Sequence, residues 1–290
     1  MTSDIFLAIV FMTSLFVILK FFEKWGVNNL QGLTVNYFTA SALSFLNGLS
    51  DNINNIALLD SFLPICMVMG LLFISSFYLT AFTAQQNGVS AATVASKMSV
   101  VIPVIAGIQL YNDSISANKF AALFCALAAV YFTGSGPQTG KPTKHNLFLP
   151  IALFLCAGIV DTTIKYAQHA YLNEKGGNIF IAAVFAVAGC VGLILTVYNY
   201  ARHKHVWEGK SIAAGLLLGI CNYASLIFVL RALGAAGADS GEVFTLSNVG
   251  VVLFSVVCSF LIFEERLTTK GMTGIVLALA AIVLLSIKNV

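Results

Sequence analysis

Residues 90–134 read SAATVASKMSVVIPVIAGIQLYNDSISANKFAALFCALAAVYFTG: an apolar run carrying Ser96-Lys97 and Pro103, an acidic turn at Asp113, and a second apolar run. The chain writes the same plan again over residues 244–286, FTLSNVGVVLFSVVCSFLIFEERLTTKGMTGIVLALAAIVLLS. Asp113-Ser-Ile-Ser is answered by Glu265-Arg-Leu-Thr, and the ALAA at 126–129 by the ALAA at 278–281, an offset of 152 residues in a chain of 290. The sequence reads as two copies of a half-length unit.

Composition sets the class. Apolar residues make up 59% and charged residues 9%, against roughly 25% charged for a soluble domain. Most of the length therefore faces hydrocarbon or other protein. A net charge of +3 without any basic run gives no footprint for nucleic acid. The six cysteines (Cys66, Cys125, Cys156, Cys190, Cys221, Cys258) fall inside apolar runs with no CxxC spacing, and they read as small core residues with no metal to hold. His145, His169, His203 and His205 fall in connecting segments.

About 20 helical residues cross roughly 30 Å of hydrocarbon. Apolar spans of that order occur at 4–22, 32–50, 61–84, 90–110, 117–135, 147–168, 178–200, 211–232, 242–263 and 270–288. No basic residue precedes the first span's apolar run and no small-residue cleavage site precedes Lys20, so it reads as a retained helix. Turn residues mark the joints, among them Asn28-Asn29 and Asn87-Gly88. The polar stretch around Pro137 and Pro142 marks residues 136–146 as a linker between a first repeat, 1–135, and a second, 147–290. Five crossings deliver the second copy to the opposite side from the first. The expected fold is an all-α membrane protein of ten transmembrane helices in two inverted five-helix repeats, the arrangement many secondary transporters use for alternating access.

Each half's fourth span ends in an acidic turn, Tyr111-Asn-Asp113-Ser-Ile-Ser and Phe263-Glu264-Glu265-Arg-Leu-Thr, ahead of an Ala/Gly-rich fifth span. This whole-chain pattern resembles the drug/metabolite transporter superfamily in its EamA-like branch. The first copy has Asp113 where the family favours glutamate, and Lys97 stands where the family is usually apolar or small. The resemblance implies a small-metabolite transporter, commonly an exporter, with a central cavity lined mainly by the first four helices of each half. It also implies cytoplasmic termini. The loop charges point the other way: Lys119, Lys175, Arg231 and Lys288 lie on the side of the termini, and Lys24, Lys141, Lys144, Arg202, Lys204, Lys210, Arg266 and Lys270 lie opposite.

Ionisable groups inside a bilayer are expensive and mark pathways or partners. Lys20 and Lys165 hold equivalent places near the ends of the first span of each half, where an amine can snorkel to the headgroups. Asp161 precedes Lys165 by four residues on one helical face, which predicts an intrahelical ion pair, a proton-coupling carboxylate, or a substrate ligand. Lys97 lies too deep to snorkel and calls for an anion, either Asp161 or the substrate. Aligning the copies with a one-residue shift, an offset of 151 here, matches Ser96 with Ser247 and sets Lys97 opposite Asn248. Pro103 can break its helix and free a carbonyl. Asn222, Tyr223, Tyr37 and Ser76 are further candidates for lining a cavity, or for interhelical hydrogen bonds. Gly70, Gly107, Gly158, Gly189, Gly192, Gly215, Gly219 and Gly250 read as close-packing points, and Trp25 and Trp207 as interfacial anchors.

The candidate substrate-binding set is therefore Lys97, Asp161, Lys165, Asn248, Asn222, Tyr223, Ser96, Ser247, Tyr37 and Ser76, with Asp161 the candidate for proton coupling. No HExxH, GxSxG, Walker loop or intramembrane aspartate pair is present, which argues against an enzyme. Up to three deep lysines against one aspartate favour an anionic or zwitterionic substrate, such as an amino acid or organic acid. The alternatives are a proton-coupled exporter of cationic or lipophilic drugs and a structural membrane protein without transport. With no ATPase segment and no cofactor, a transporter would draw on a proton or sodium gradient or on exchange. The expected setting is the bacterial inner membrane, as a monomer or homodimer.

Overall fold

No water reaches backbone amides inside a bilayer, so a spanning segment must satisfy its own N–H and C=O groups, which a helix does internally. The apolar spans are accordingly helical in the computed structural model, which describes residues 2–49, 53, 55–111, 117–134, 147–171, 177–203, 207–234, 240–265 and 268–286. In chain order these form α1 (Thr2–Lys24), α2 (Asn29–Leu46), a 3-10 turn (Ile56–Leu58), α3 (Leu59–Asn87), α4 (Val89–Met98), α5 (Val101–Tyr111) and α6 (Ala117–Gly134). They continue as α7 (Phe148–Tyr171), α8 (Gly177–His203), α9 (Gly209–Leu233), α10 (Ser240–Phe263) and α11 (Thr269–Ser286). No strand occurs among the described residues. The Asp113 turn, the linker at 136–146, and Lys141, Lys144, His145, Lys175, Lys204, His205, Arg266 and Lys288 lie outside them.

Among the described residues, seven stretches are long and apolar enough to cross a membrane: α1, α3, the run Val89–Ala106 through α4 and α5, and α7 to α10. Their outward faces are apolar as well. Leu261 is 69% exposed and Ile194 67%, an arrangement that water would penalise and hydrocarbon does not. The chain is an integral membrane protein.

Local signals place the ends. Asn28 caps α2, its Oδ1 accepting from the N–H groups of Leu30 (3.0 Å) and Gln31 (3.2 Å). Gly88, at φ +97°, makes the sharp turn from α3 into α4, a conformation that a side chain would resist. The expected fourth span is two helices. Pro103 has no N–H to give and its ring crowds the carbonyl four residues back, at Ser99. The helix breaks there, with the Ser99 carbonyl accepting from Ile102 N–H at 2.9 Å instead.

The helices distribute over two compact units, and each unit takes segments from both sequence halves. The first contains 1–20, 79–161 and 224–290; the second contains 21–78 and 162–223. In the first, α6 packs along α11, and α4 packs on both α6 and α10. In the second, α2 packs along α8. Both long seams are built from small residues. Ala126 and Ala129 of one ALAA and Ala278 and Ala281 of the other are all fully buried in the core of the first unit. The α2–α8 seam has Gly189 against the Phe38 ring and Gly192 against Thr34, with Ser41 Oγ donating to the Ala182 carbonyl at 2.8 Å. On α9, Gly215 and Gly219 admit the α2 backbone: a Cβ at Gly215 would stand 2.5 Å from the Gly32 carbonyl oxygen. Without a hydrophobic drive between helices in lipid, such close approach supplies the packing energy.

A Cβ at Gly274 would come within 2.7 Å of Thr133 Cγ2 and 3.0 Å of the Ala129 carbonyl. Gly274→Val should therefore destabilise by roughly 1–3 kcal/mol through overpacking, read as a lower midpoint of thermal unfolding in mild detergent. Val276→Leu, at a position 64% exposed on the same helix, should leave the midpoint in place.

Candidate functional site

The break between α4 and α5 brings Ser99 together with Asp161 and lies beside Lys97, all in the first unit. Lys97 lies in the last turn of α4 and is half-buried. Its ammonium has three donors to place, and its contact is the thioether of Met12 at 3.7 Å, a weak acceptor. Asp161 of α7 lies within electrostatic reach of Lys97, yet neither residue forms an ion pair within 4.0 Å among the described residues. Ser99, in the break itself, donates to Asp161 Oδ2 at 2.9 Å and lies 2.5 Å from the Ser96 carbonyl. The intrahelical pair expected between Asp161 and Lys165 is not made, because Ser99 takes the carboxylate toward the break. The direct pair between Lys97 and Asp161 is likewise not closed.

Elsewhere in the first unit, polar groups lack partners. Ser247 Oγ, Ser90 Oγ and Thr13 Oγ1 are buried without a hydrogen bond among the described residues. Asn248, half-buried on α10, makes no side-chain hydrogen bond among them either. A buried polar group without a partner costs about 1–3 kcal/mol, so each marks a place where a further group can supply the bond. Gly158, one turn before Asp161, lets Ile102 of α5 lie flat on α7; any Cβ there would overlap the Ile102 side chain.

The other end of α4 is tied down by residues that the repeat marked without assigning a partner. Glu265 is 1% exposed and uses both carboxylate oxygens. Oε1 accepts from Lys20 Nζ and, at 3.3 Å, from Val89 N–H at the start of α4, while Oε2 accepts from Ser259 Oγ. The Lys20 ammonium also lies over the Phe263 ring, 4.9 Å from its centroid. The expectation that Lys20 snorkels to the headgroups is thus corrected: it is 6% exposed and salt-bridged. Its aliphatic stem could have reached the interface, but a carboxylate on the positive end of α4 is a better partner. Glu264 adopts φ +52° to turn Glu265 back beneath α10. Nearby, Gln85 Nε2 donates to the Leu19 carbonyl at 2.9 Å and Asn87 Nδ2 to the Gly134 carbonyl at 3.3 Å.

The second unit holds Lys165, Asn222, Tyr223, Tyr37 and Ser76. Lys165 is exposed. Tyr37 is fully buried, its hydroxyl donating to the Phe73 carbonyl at 2.7 Å and its ring packed on Phe77 and Phe185, so it belongs to the core. Asn222 Nδ2 donates to Asn36 Oδ1 at 3.3 Å, while Asn36 Nδ2 is buried without a partner among the described residues. Tyr223 and Ser76 are half-buried. The cysteines are all free, five of them buried or half-buried and Cys190 exposed on α8. Sequence reasoning passed over Ser99, although its place four residues before Pro103 is the signal for the break. It also passed over Met12 and the joining of Lys20 to Glu265, for which a separation of 245 residues gives no local signal.

No family model matches the chain. It is 22% identical over 286 residues to an uncharacterized protein of Haemophilus influenzae, covering 96% of each. A crystal structure with 15% identity superposes with a TM-score of 0.59, covering 98% of this chain and 95% of the other. That likeness extends over the full length and concerns the fold.

Proposed function

We propose that this protein is a secondary transporter of a small zwitterionic or anionic metabolite, of the EamA-like kind. In this reading ten helices in two inverted five-helix repeats alternate access to a site at the broken fourth helix. The observation that carries it is the placement of an amine and a carboxyl, Lys97 and Asp161, within electrostatic reach of each other in an apolar interior with no ion pair closed within 4.0 Å. A structural ion pair would close, because an open one forfeits the attraction that offsets desolvation. A zwitterion completes it, with its carboxylate on Lys97 and its ammonium on Asp161, while Ser247 and Asn248 supply neutral hydrogen bonds. Broken helices that present polar groups inside the membrane recur at transporter sites.

The helix pairings support the repeat. α2 and α8 are the second spans of the two copies and α6 and α11 the fifth, and each packs on its own counterpart. Two copies related by a two-fold axis pack this way when those helices lie beside the axis. The relative in Haemophilus influenzae fits a bacterial inner membrane, and export driven by a proton or sodium gradient, or by exchange, completes the reading.

The test is thermal unfolding of the purified protein against amino acids, organic acids, phosphorylated metabolites and amines, since a ligand bound to the folded state raises the midpoint. Zwitterions or carboxylates that raise it should then exchange with labelled ligand across proteoliposomes. Stabilisation by amines alone would transfer the weight to Asp161 and cation export. No exchange of any stabilising ligand would defeat the transport reading.

A further inference from the structure

An open groove of about 360 Å³ runs along the second unit, between α3 and α8 at the start of α2. Its apolar wall is Ile74, Leu195 and Leu30. Ser75, Tyr78, Tyr198 and Asn199 add hydroxyls and an amide along the same wall. Beside it stand Leu71, Ile194 and Leu195, exposed by 52%, 67% and 44%, so the groove opens sideways onto the hydrocarbon that these side chains require. Tyr198 and Asn199 lie in the last two turns of α8, and Leu30 lies in the first turn of α2. One end of the groove is therefore at headgroup depth. At the deep end Ile74 would stand 2.9 Å from a Cβ on Gly192, six residues and roughly 9 Å along α8 from Tyr198 by the helical rise.

A cation waits at the shallow end. The Arg202 guanidinium lies over the Tyr198 ring, 5.1 Å from its centroid, and makes no ion pair or hydrogen bond among the described residues. Its five donors are unspent. The Lys210 amine lies against the α1–α2 turn, where a Cβ on Gly26 would stand 3.1 Å from it. Lys210 also reaches Glu208 at 3.1 Å in an exposed pair, which is worth little. Asn199 likewise makes no side-chain hydrogen bond among the described residues.

We propose that this groove is a binding site for an anionic phospholipid. Arg202 takes the phosphate in a forked hydrogen bond, Asn199 and the tyrosine hydroxyls face the glycerol esters, and one acyl chain lies along Leu30, Leu195 and Ile74. A lipid fits better than a water-soluble phosphate because exposed leucine and isoleucine flank the groove, and a soluble ligand would gain nothing from that wall. The bound lipid ties the start of α2 to α3 and α8 and so stabilises the second unit. The site is separate from the Lys97 cluster and stands whether or not the protein transports.

The test uses full-length protein in mixed micelles containing dioleoyl phosphatidylglycerol or dioleoyl phosphatidylcholine at equal mole fraction. Phosphatidylglycerol should raise the unfolding midpoint by several degrees more than phosphatidylcholine, and native mass spectrometry should find it retained. Arg202→Gln should lower its apparent affinity about tenfold or more, the value of one charge-assisted hydrogen bond, and erase the difference between the lipids. Ser75→Phe, which fills the groove from an exposed position, should reduce retention of both. Equal stabilisation by the two lipids, or an unchanged phosphatidylglycerol increment in Arg202→Gln, would overturn the proposal. So would glycerol 3-phosphate reproducing the shift alone, since that would make it a phosphate site without a lipid.

Discussion

Glu265→Ala should cost the folded protein about 3–5 kcal/mol, the penalty for stranding one member of a buried ion pair. The Lys20 ammonium would be left with the Phe263 ring alone, Ser259 would lose its acceptor, and the first N–H of α4 would lose its cap. Thermal unfolding in detergent should show the drop, and Lys20→Met alone should show a loss of the same order. The double change Lys20→Met with Glu265→Leu should recover most of it, since an apolar pair of similar volume replaces charges that no longer need each other. If each single variant keeps the wild-type midpoint, the pair is not a stabilising tie.

Lys97→Ala should do the reverse. Lys97 makes one weak contact and faces an open pair, so its removal relieves a poorly compensated charge and should leave the unfolding midpoint unchanged or higher. The same substitution should weaken binding of a zwitterion or carboxylate about 10- to 100-fold, the value of a charge-assisted hydrogen bond in a dry site, and reduce exchange in proteoliposomes accordingly. Asp161→Asn should cost a zwitterion similarly and a simple carboxylate much less. A Lys97→Ala protein that binds and exchanges as the wild type does would remove Lys97 from the site. The contrast between Glu265 and Lys97 separates charges that hold the fold from charges that await a ligand.

Hydrophobic length and turn chemistry sufficed for the helices. The spans at 61–84 and 211–232 become Leu59–Asn87 and Gly209–Leu233, and the Asn28 and Gly88 joints fall where side-chain capping and a positive φ put them. What one local pattern can state, the sequence stated. Interactions set by tertiary geometry were not legible in that way. A spacing of four made Asp161 and Lys165 look like partners, but the direction of the carboxylate is set by Ser99 across a break on another helix. Lys20 looked like a headgroup anchor because nothing nearby in sequence could hold it, and its partner lies 245 residues away. The candidate set shows the same division: Lys97, Ser96 and Asp161 converge on one break, whereas Tyr37, chosen for being polar in an apolar span, has its hydroxyl committed to the Phe73 carbonyl.

The seam between the two ALAA segments has a consequence for biosynthesis. The alanine face of α6 is made 152 residues before the face of α11 that covers it. At translation rates of about 5–20 residues per second, that face stays uncovered for about 8–30 s. The surface best suited to cover it meanwhile is one with the same motif, and another nascent chain carries it. Crowded insertion of this protein therefore risks pairing between first halves of neighbouring chains, and slow delivery of the second half would aggravate it.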